Sequence, residues 1–227
     1  MRPKICVSVM ESTGERTVRA LRKLEHQNPD FVEIRFDAMK SMPPVTEIRE
    51  ATKRPLIAAN RSRTQGGLSY GTEEMRTRIL TEAAEEAFDY VDVELTAKAL
   101  NKTVPQLKQH GAGVIISYHS QNETPAQPAF ESILEKEKAA GADICKIVGT
   151  AKSYADNLRC LNLVNKHAGR AKLVCFSMGR LGIPSRVLSP IFGAYFTFAS
   201  SGTGRETAAG QIPIDKLRAL YKELRLA

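Results

Sequence analysis

The 227-residue chain has no tryptophan and four cysteines, Cys6, Cys145, Cys160 and Cys175. No two of them form a CxxC pair, and three lie in apolar β-like runs, where a free cysteine behaves as a small hydrophobic residue. Disulfides and a cysteine-based zinc site are therefore not expected. The metal-binding spacing HExxH is also missing, and we predict no metal and no other cofactor.

The sequence lacks a long apolar run. No stretch approaches the roughly 18 uncharged apolar residues that a membrane span requires. The apolar N-terminal segment is interrupted by Lys4, and no cleavage-type site follows it. We therefore expect a soluble, cytoplasmic protein with no membrane partner. Because 42% of the residues are hydrophobic and 26% charged, a folded domain is expected.

The net charge of +8 is unevenly distributed along the chain. Residues 1–150 carry equal numbers of basic and acidic side chains, so the whole excess lies in residues 151–227. A basic region invites a nucleic-acid partner, but these charges stand singly among apolar residues, and no Lys/Arg-rich run occurs. A small anionic substrate fits the charge at least as well, and no nucleic-acid partner is predicted.

Short β-branched runs recur every 21 to 34 residues, and stretches with helical periodicity separate them. The eight runs are KICVSVM from Lys4, DFVEIRF from Asp30, PLIAANR from Pro55, DYVDVEL from Asp89, GVIISYH from Gly113, DICKIVG from Asp143, KLVCFSM from Lys172 and GAYFTFA from Gly193. This pattern predicts an α/β fold, a (β/α)8 TIM barrel formed as a single domain over residues 1–227. A doubly wound open sheet is the alternative, but MESTGE stands where its GxGxxG fingerprint would follow the first run.

Three of the predicted helices have recognisable starts, and three glycines mark helix ends. Ser12 or Thr13 would cap a helix reaching His26, Thr72 one reaching Phe88, and Thr124 with Pro125 would open one reaching Ala140. Gly111, Gly141 and Gly169 stand where left-handed helix stops are needed.

Polar residues cluster at the carboxyl ends of the predicted strands, where barrel enzymes place their catalytic groups. These residues are Ser8, Glu33, Arg35, Arg61, Asp92, Glu94, Ser117, His119, Lys146 and Ser177, and the apolar Met178 stands next to Ser177 at the same strand end. The two-residue strand period places Glu33 and Arg35 on one side of their strand, and Ser117 and His119 on one side of theirs. Two structural alternatives stay open: a simple ion pair between Glu33 and Arg35, and a hydrogen-bonded core role for His119.

Lys146 lies among apolar neighbours in a predicted interior strand. Lysine is seldom buried without a partner or a chemical task. Desolvation and neighbouring arginines would both disfavour its ammonium form and leave an amine nucleophile able to condense with a ketone. The alternative is a lysine on the outer face that pairs with a helix carboxylate.

Two glycine-containing segments, residues 178–186 and 200–211, follow the last two predicted strands. The second has the small-residue composition of a closing loop or of a phosphate cradle, and composition does not separate the two. As a closing loop it would be mobile when free and would turn Thr207 and Gln211 inward over a bound substrate.

Taken in order, several segments resemble the type I 3-dehydroquinate dehydratases, which are Schiff-base enzymes of the shikimate pathway. The resemblance covers nearly the whole chain through PKICVSVM, VEIRFD, NRSRTQGG, YVDVEL, IISYHS followed by TP, ADICKIV, FSMGRLGIPSR and AAGQIP. It implies dehydration of 3-dehydroquinate to 3-dehydroshikimate, without a cofactor, by a cytoplasmic homodimer.

The resemblance also implies roles for residues at matching positions. Lys146 would form the Schiff base, and His119 would act as general acid and base. Arg186 would bind the substrate carboxylate, while Met178 would form an apolar wall beside the ring. The other implied substrate-binding residues are Ser8, Glu33, Arg35, Arg61, Thr207 and Gln211.

The chain departs from this family pattern at two positions. Gln65 stands where an acidic residue is common before GG, so an electrostatic partner for His119 is absent, and Asp92 or Glu94 could supply charge instead. Thr207 stands where serine is common, which keeps the hydroxyl.

Two competing functions remain. A class I aldolase or transaldolase shares the lysine but needs a phosphate-binding site. A basic nucleic-acid-binding domain leaves Lys146 and His119 without a role.

Overall fold

Eight parallel strands form one sheet that closes almost completely into a barrel. The computed structural model describes residues 2–41 and 44–226; the other four positions of the predicted 1–227 domain lie outside them. The strands are β1 Ile5–Val9, β2 Phe31–Arg35, β3 Leu56–Ala59, β4 Tyr90–Glu94, β5 Gly113–His119, β6 Ile144–Thr150, β7 Leu173–Met178 and β8 Thr197–Ala199. They lie in the order β7-β6-β5-β4-β3-β2-β1-β8. Between β7 and β8, the Tyr195 N–H donates to the Leu173 carbonyl at 2.8 Å.

A helix follows each strand and covers the outside of the sheet. The helices are α1 Gly14–Leu24, α2 Val45–Glu50, α3 Glu73–Glu85, α4 Leu100–Gln109, α5 Gln127–Ala139, α6 Asp156–His167, α7 Ile183–Leu188 and α8 Ile214–Glu223. From β1 to β7, strands that are consecutive in the chain are neighbours in the sheet, and β8 pairs with β1. This order confirms the predicted (β/α)8 barrel and excludes the doubly wound alternative.

Two of the three predicted helix starts are confirmed. The Thr13 hydroxyl accepts from the Arg16 N–H at 3.4 Å, and the Thr72 hydroxyl accepts from the Met75 N–H at 3.3 Å. The third start is wrong, because α5 begins at Gln127 and the Thr124 hydroxyl instead pairs with the Ser177 hydroxyl at 2.7 Å. The three predicted glycine stops have positive φ angles of 87°, 91° and 73°, as left-handed helix ends require.

The lower half of the barrel interior is apolar. Side chains facing inward from the strands form one buried cluster that includes Cys6, Phe31, Ile115, Val174 and Phe196. The rings of Phe31 and Phe196 lie 5.0 Å apart between centroids. This packed layer closes the barrel from below, so a cavity inside it can open only toward the carboxyl ends of the strands.

Aspartates tie neighbouring strands together at the opposite, amino-terminal face. Asp30, Asp89 and Asp143 stand just before β2, β4 and β6, and the carboxylate of each accepts a backbone N–H from the preceding strand. Asp30 accepts from Ile5 at 2.9 Å, Asp89 from Leu56 at 2.8 Å and Asp143 from Val114 at 2.8 Å. Each of these N–H groups lies at or next to the start of its strand. The aspartates that open three of the predicted runs therefore fix the positions of adjacent strands at this face.

The four cysteines are all buried and free, as the sequence predicts. In the described part of the chain, no helix is both long enough and apolar enough to cross a membrane. The same residues contain no group of three or more His, Cys, Asp or Glu side chains arranged to hold a metal ion.

Candidate active site

All nine predicted catalytic and substrate-binding residues line one cavity at the carboxyl ends of the strands. Its volume is about 330 Å³. The nine are Ser8, Glu33, Arg35, Arg61, His119, Lys146, Arg186, Thr207 and Gln211. Met178, the predicted apolar wall, and Gln65 line the same cavity.

Lys146 projects from the middle of β6 into the barrel and is 4% exposed, which excludes the outer-face alternative. Its ammonium nitrogen Nζ lies 3.0 Å from Glu33 Oε1 and 2.9 Å from Asp92 Oδ2. The nitrogen also lies 4.3 Å from the centre of the Phe198 ring. The direct neighbours of the lysine are thus two carboxylates and a ring face, not the arginines expected from the sequence.

Glu33 and Asp92 are held ionised by the cations around them. Burial opposes ionisation of Glu33, but Lys146 and Arg35 outweigh it and lower the pKa of its carboxyl group. Burial likewise opposes ionisation of Asp92, and Arg61 with Lys146 holds the pKa of that carboxyl well below its ordinary value. The Ser8 hydroxyl donates to Glu33, so this carboxylate has contacts on both sides.

Arg61 joins β3, β4 and β5 in one buried network. Its guanidinium donates to Asp92 Oδ2 at 2.7 Å and to the Ser117 hydroxyl at 2.6 Å. The same hydroxyl donates to Asp92 Oδ1 at 2.6 Å. Asp92 therefore holds Arg61 and Lys146 side by side, and its negative charge is shared between these two cations. Glu94 is buried nearby and accepts the Ser62 N–H at 2.7 Å without lining the cavity.

Arg35 pairs with Asp37 rather than with Glu33. The guanidinium donates Nε to Asp37 Oδ1 at 2.8 Å and NH2 to Oδ2 at 2.7 Å, a two-point contact. Asp37 also accepts the backbone N–H groups of Arg61 at 3.1 Å and Leu68 at 2.9 Å. The simple Glu33–Arg35 ion pair is therefore not formed. Asp37 was not among the predicted site residues, although it stands in the VEIRFD segment two residues after Arg35.

His119 ends β5 at the cavity wall. Its backbone N–H donates to Gln65 Oε1 at 2.7 Å. The ring nitrogen Nδ1 is inaccessible and has no hydrogen-bond partner among residues 2–41 and 44–226. Burial, followed by the positive charges of Arg61 and Lys146, lowers the pKa of His119 well below its ordinary value. The imidazole is consequently neutral at physiological pH and able to accept a proton.

Arg186 is the cavity cation without a carboxylate partner in the described part of the chain. It is 1% exposed and lies in α7, with its guanidinium carbon 4.2 Å from the centre of the Phe176 ring. Its Nε has no hydrogen-bond partner in those residues, and NH2 reaches only the Ala209 carbonyl, at 3.5 Å. Burial lowers the pKa of Arg186 to about 9. An anionic group of a ligand would satisfy this guanidinium.

The segment after β8 brings Thr207 and Gln211 into the cavity. Gln211 Nε2 donates to the Thr207 hydroxyl at 3.0 Å, and Gln211 Oε1 accepts the Thr207 N–H at 2.8 Å. The segment is also tied to its surroundings, because the Gly179 N–H donates to the Ala209 carbonyl at 3.0 Å. Its composition did not predict these anchors. The phenylalanines Phe176 and Phe198, which also line the cavity, were missed because they read as ordinary core residues.

Fold and site together define a class of protein: a (β/α)8-barrel enzyme whose buried lysine and histidine share a charged cavity at the catalytic face. The sequence model of the family described as Type I 3-dehydroquinase matches residues 5–226 of the chain. The 3-dehydroquinate dehydratase of Methanothermobacter thermautotrophicus is 36% identical over 227 residues, covering 99% of this chain and 98% of that protein. The chain belongs to the type I 3-dehydroquinase family and is a hydro-lyase.

Solved structures show the same architecture. The 3-dehydroquinate dehydratase of Geobacillus kaustophilus superimposes with a TM-score of 0.90 at 24% identity, covering 99% of this chain and 92% of that one. The type I enzyme of Clostridium difficile gives a TM-score of 0.88 at 26% identity, with coverage of 98% and 92%. Family membership favours the predicted dehydration over the aldolase and nucleic-acid-binding alternatives.

Proposed function

We propose that this chain dehydrates 3-dehydroquinate to 3-dehydroshikimate through a Schiff base on Lys146. The observation that carries the proposal is the burial of the Lys146 amine inside a cavity that also holds a neutral histidine and an arginine without a carboxylate partner. That set matches a substrate with a ketone, an acidic C–H and a carboxylate. The domain that acts is residues 1–227 as one unit.

The first step uses the lysine as a nucleophile. The Lys146 ammonium group releases a proton to water, and the free amine adds to the substrate ketone. The carbinolamine takes a proton back as its hydroxyl leaves as water, which forms a protonated imine. Glu33 and Asp92, at 3.0 and 2.9 Å from Nζ, hold the amine in place and offset the positive charge of the iminium. The iminium withdraws electrons far better than a ketone, which acidifies the adjacent C–H bond.

The second step uses His119 in both of its protonation states. The neutral imidazole removes the acidified proton, and the imidazolium then protonates the leaving hydroxyl group, which departs as water. Hydrolysis of the imine releases the product and restores the Lys146 amine. The water consumed there balances the water lost when the imine formed, so one water is lost overall.

The remaining cavity residues orient the substrate. Arg186 has free donors for the carboxylate, and the guanidinium fork suits a two-point contact. The substrate hydroxyl groups have Ser8, Glu33, Arg35, Arg61, Thr207 and Gln211 as hydrogen-bond partners along the cavity wall. This division of roles follows from charge, because Arg35 and Arg61 already bind carboxylates of the protein.

The test is reduction with borohydride in the presence of 3-dehydroquinate. We expect an adduct on Lys146, detected by peptide mass, and no adduct or turnover with Lys146→Ala. His119→Ala should still form the adduct, slowly, while turnover stalls, because only proton transfer is lost. Trapping on a different lysine, or wild-type turnover in His119→Ala, would show that these roles are wrongly assigned.

We also propose a cytoplasmic location and a homodimer, which rest on the family resemblance. Sedimentation velocity of the purified chain tests the oligomeric state: a single species with monomer mass at micromolar concentration contradicts the dimer.

A further inference from the structure

A second cavity lies outside the barrel, between helix α1 and the segment after β8. Its volume is about 670 Å³. Three basic side chains of α1, Arg16, Arg19 and Lys23, line one wall, and Arg205 reaches it from the segment after β8. Their spacing of three and four residues along the helix places the three α1 cations on one face.

The charge of this cavity is positive and largely unpaired. Glu11 is the one carboxylate among its lining residues, and it pairs with Arg205 at 2.9 Å. Arg19 and Lys23 have no carboxylate within ion-pair distance in the described ranges. Cations gathered around a concave surface reinforce one another's field, so the cavity attracts anions more strongly than an isolated surface lysine does.

We propose that this cavity binds a small phosphorylated anion. Guanidinium groups bind phosphate oxygens through paired N–H donors, and the lysine adds a third contact from the same helix face. A single-stranded nucleic acid fits less well, because the lining contains no aromatic ring on which a base could stack. The ligand class is thus a phosphate or polyphosphate group on a small molecule.

Binding here would act on the catalytic cavity through the segment after β8. Arg205 lies two residues before Thr207, whose backbone N–H donates to the Gln211 side chain in the catalytic cavity. Gln27 also holds this segment, since its Nε2 donates to the Ser201 carbonyl at 3.2 Å. An anion bridging Arg205 to α1 would immobilise the segment and lower the KM. This consequence rests on the proposed function, whereas the binding itself does not.

Calorimetric titration with tripolyphosphate, in a low-salt chloride buffer, tests the site. We expect saturable binding that weakens by about tenfold or more in the double variant Arg19→Gln/Lys23→Gln, because two charge-assisted contacts are lost. The control is Arg22→Gln/Lys102→Gln, which removes the same charge from residues that do not line the cavity. Equal loss in both double variants, or no saturable binding, overturns the proposal.

Hydrogen exchange of the wild-type protein locates the bound anion. Tripolyphosphate should slow exchange in residues 11–27 and 200–206, and Arg186→Gln should bind it as the wild type does. Protection confined to the catalytic cavity would assign the anion to Arg186 and contradict a second site. A single-stranded oligonucleotide that binds as tightly, and fails with the same double variant, would make the surface a nucleic-acid site instead. Failure of the borohydride trapping would leave all of these outcomes unchanged.

Discussion

Arg186 differs from the other cations of the catalytic cavity in what surrounds it. Arg35, Arg61 and Lys146 each contact a carboxylate of the protein, whereas Arg186 contacts a ring face and a distant carbonyl. A buried cation without a counter-charge is costly. Such a side chain is best explained by a ligand that supplies the missing charge.

Arg186→Ala is therefore expected to weaken substrate binding by about 2 to 5 kcal/mol, because the substrate carboxylate is left buried and unpaired. Arg186→Lys should recover only part of the loss, since an ammonium cannot reproduce the planar fork. Steady-state kinetics of both variants measure this. If KM and kcat of Arg186→Ala equal those of the wild type, the carboxylate binds at Arg35 or Arg61.

Gln65 holds His119 by its main chain and adds no charge. Burial and the cations Arg61 and Lys146 therefore lower the pKa of His119 without an adjacent carboxylate at position 65 to oppose them. Activity should be lost only when acid protonates His119, at a pH well below the ordinary histidine range. The acid limb of kcat/KM reports this protonation.

Gln65→Glu should keep the acceptor for the His119 N–H and add a negative charge. We expect the pKa of His119 to rise and the acid limb to move upward by about one pH unit, because a nearby opposite charge favours the imidazolium. Gln65→Met is the matched control: it removes the acceptor without adding charge, so kcat should fall while the limb stays in place. An unchanged limb in Gln65→Glu would mean that position 65 does not influence His119 electrostatically.

At the scale of the secondary structure elements, the aspartates at the amino-terminal face fix strand starts. Asp143 accepts the Val114 N–H at 2.8 Å through one oxygen, while the other accepts from Lys108 at 2.9 Å. The two contacts contribute differently to the free energy of unfolding. The first replaces water at the start of a buried strand, whereas the second is an exposed ion pair worth little.

Asp143→Ala should lower the free energy of unfolding by about 1–2 kcal/mol, because the Val114 N–H loses a charged acceptor. Lys108→Ala, which removes only the exposed partner, should change it by less than about 0.5 kcal/mol. Urea unfolding followed by circular dichroism measures both. Equal losses in the two variants would assign the effect to the ion pair instead of the strand start.

The sequence predicts much of this fold because strand and helix signals are local. Seven of the eight predicted runs contain their whole strand, and β6 extends one residue past its run, to Thr150. Thr13 and Thr72 cap their helices as expected. The run from Gly193 yields only three strand residues, Thr197–Ala199. Gly193 has a φ of 108°, and Tyr195 and Phe196 pack into the aromatic layer below the cavity. The Tyr195 N–H still bonds to the Leu173 carbonyl, but the regular strand begins only at Thr197.

The site was predictable as a set of residues but not as a set of contacts. Family motifs and strand periodicity bring all nine residues to one cavity. They do not predict that Asp92 bridges Lys146 and Arg61, or that Asp37 binds Arg35, because those pairings depend on barrel closure and on side-chain reach between strands. The same limit explains the wrong expectation that arginines would be the direct neighbours of Lys146.

At the scale of the whole molecule, two groups of buried carboxyl side chains change the free energy of unfolding with pH in opposite directions. The pKa values of Glu33, Asp37 and Asp92 are lowered in the folded state. Their contribution to stability is present above the carboxyl pKa of the unfolded chain, about 4, and is lost as the pH falls.

Glu137 on α5 has the opposite effect on the pH dependence of stability. It is fully buried, neither oxygen has a hydrogen-bond partner in the described residues, and burial raises its pKa well above the ordinary value.

In the unfolded chain, Glu137 ionises above a pH of about 4. In the folded protein, the buried carboxyl group must keep its proton or become a buried charge. The free energy of unfolding therefore falls as the pH rises from about 4 toward the raised pKa of Glu137. Glu137→Gln removes this cost and should raise the thermal midpoint at pH 8 by about 2–4 °C, the shift that 1 kcal/mol produces at this chain length. At pH 4 the midpoints should nearly coincide. Glu135→Gln, on the exposed face of the same helix, should show no such divergence. A lower midpoint for Glu137→Gln at pH 8 would mean that the native carboxyl is ionised and stabilised by a partner.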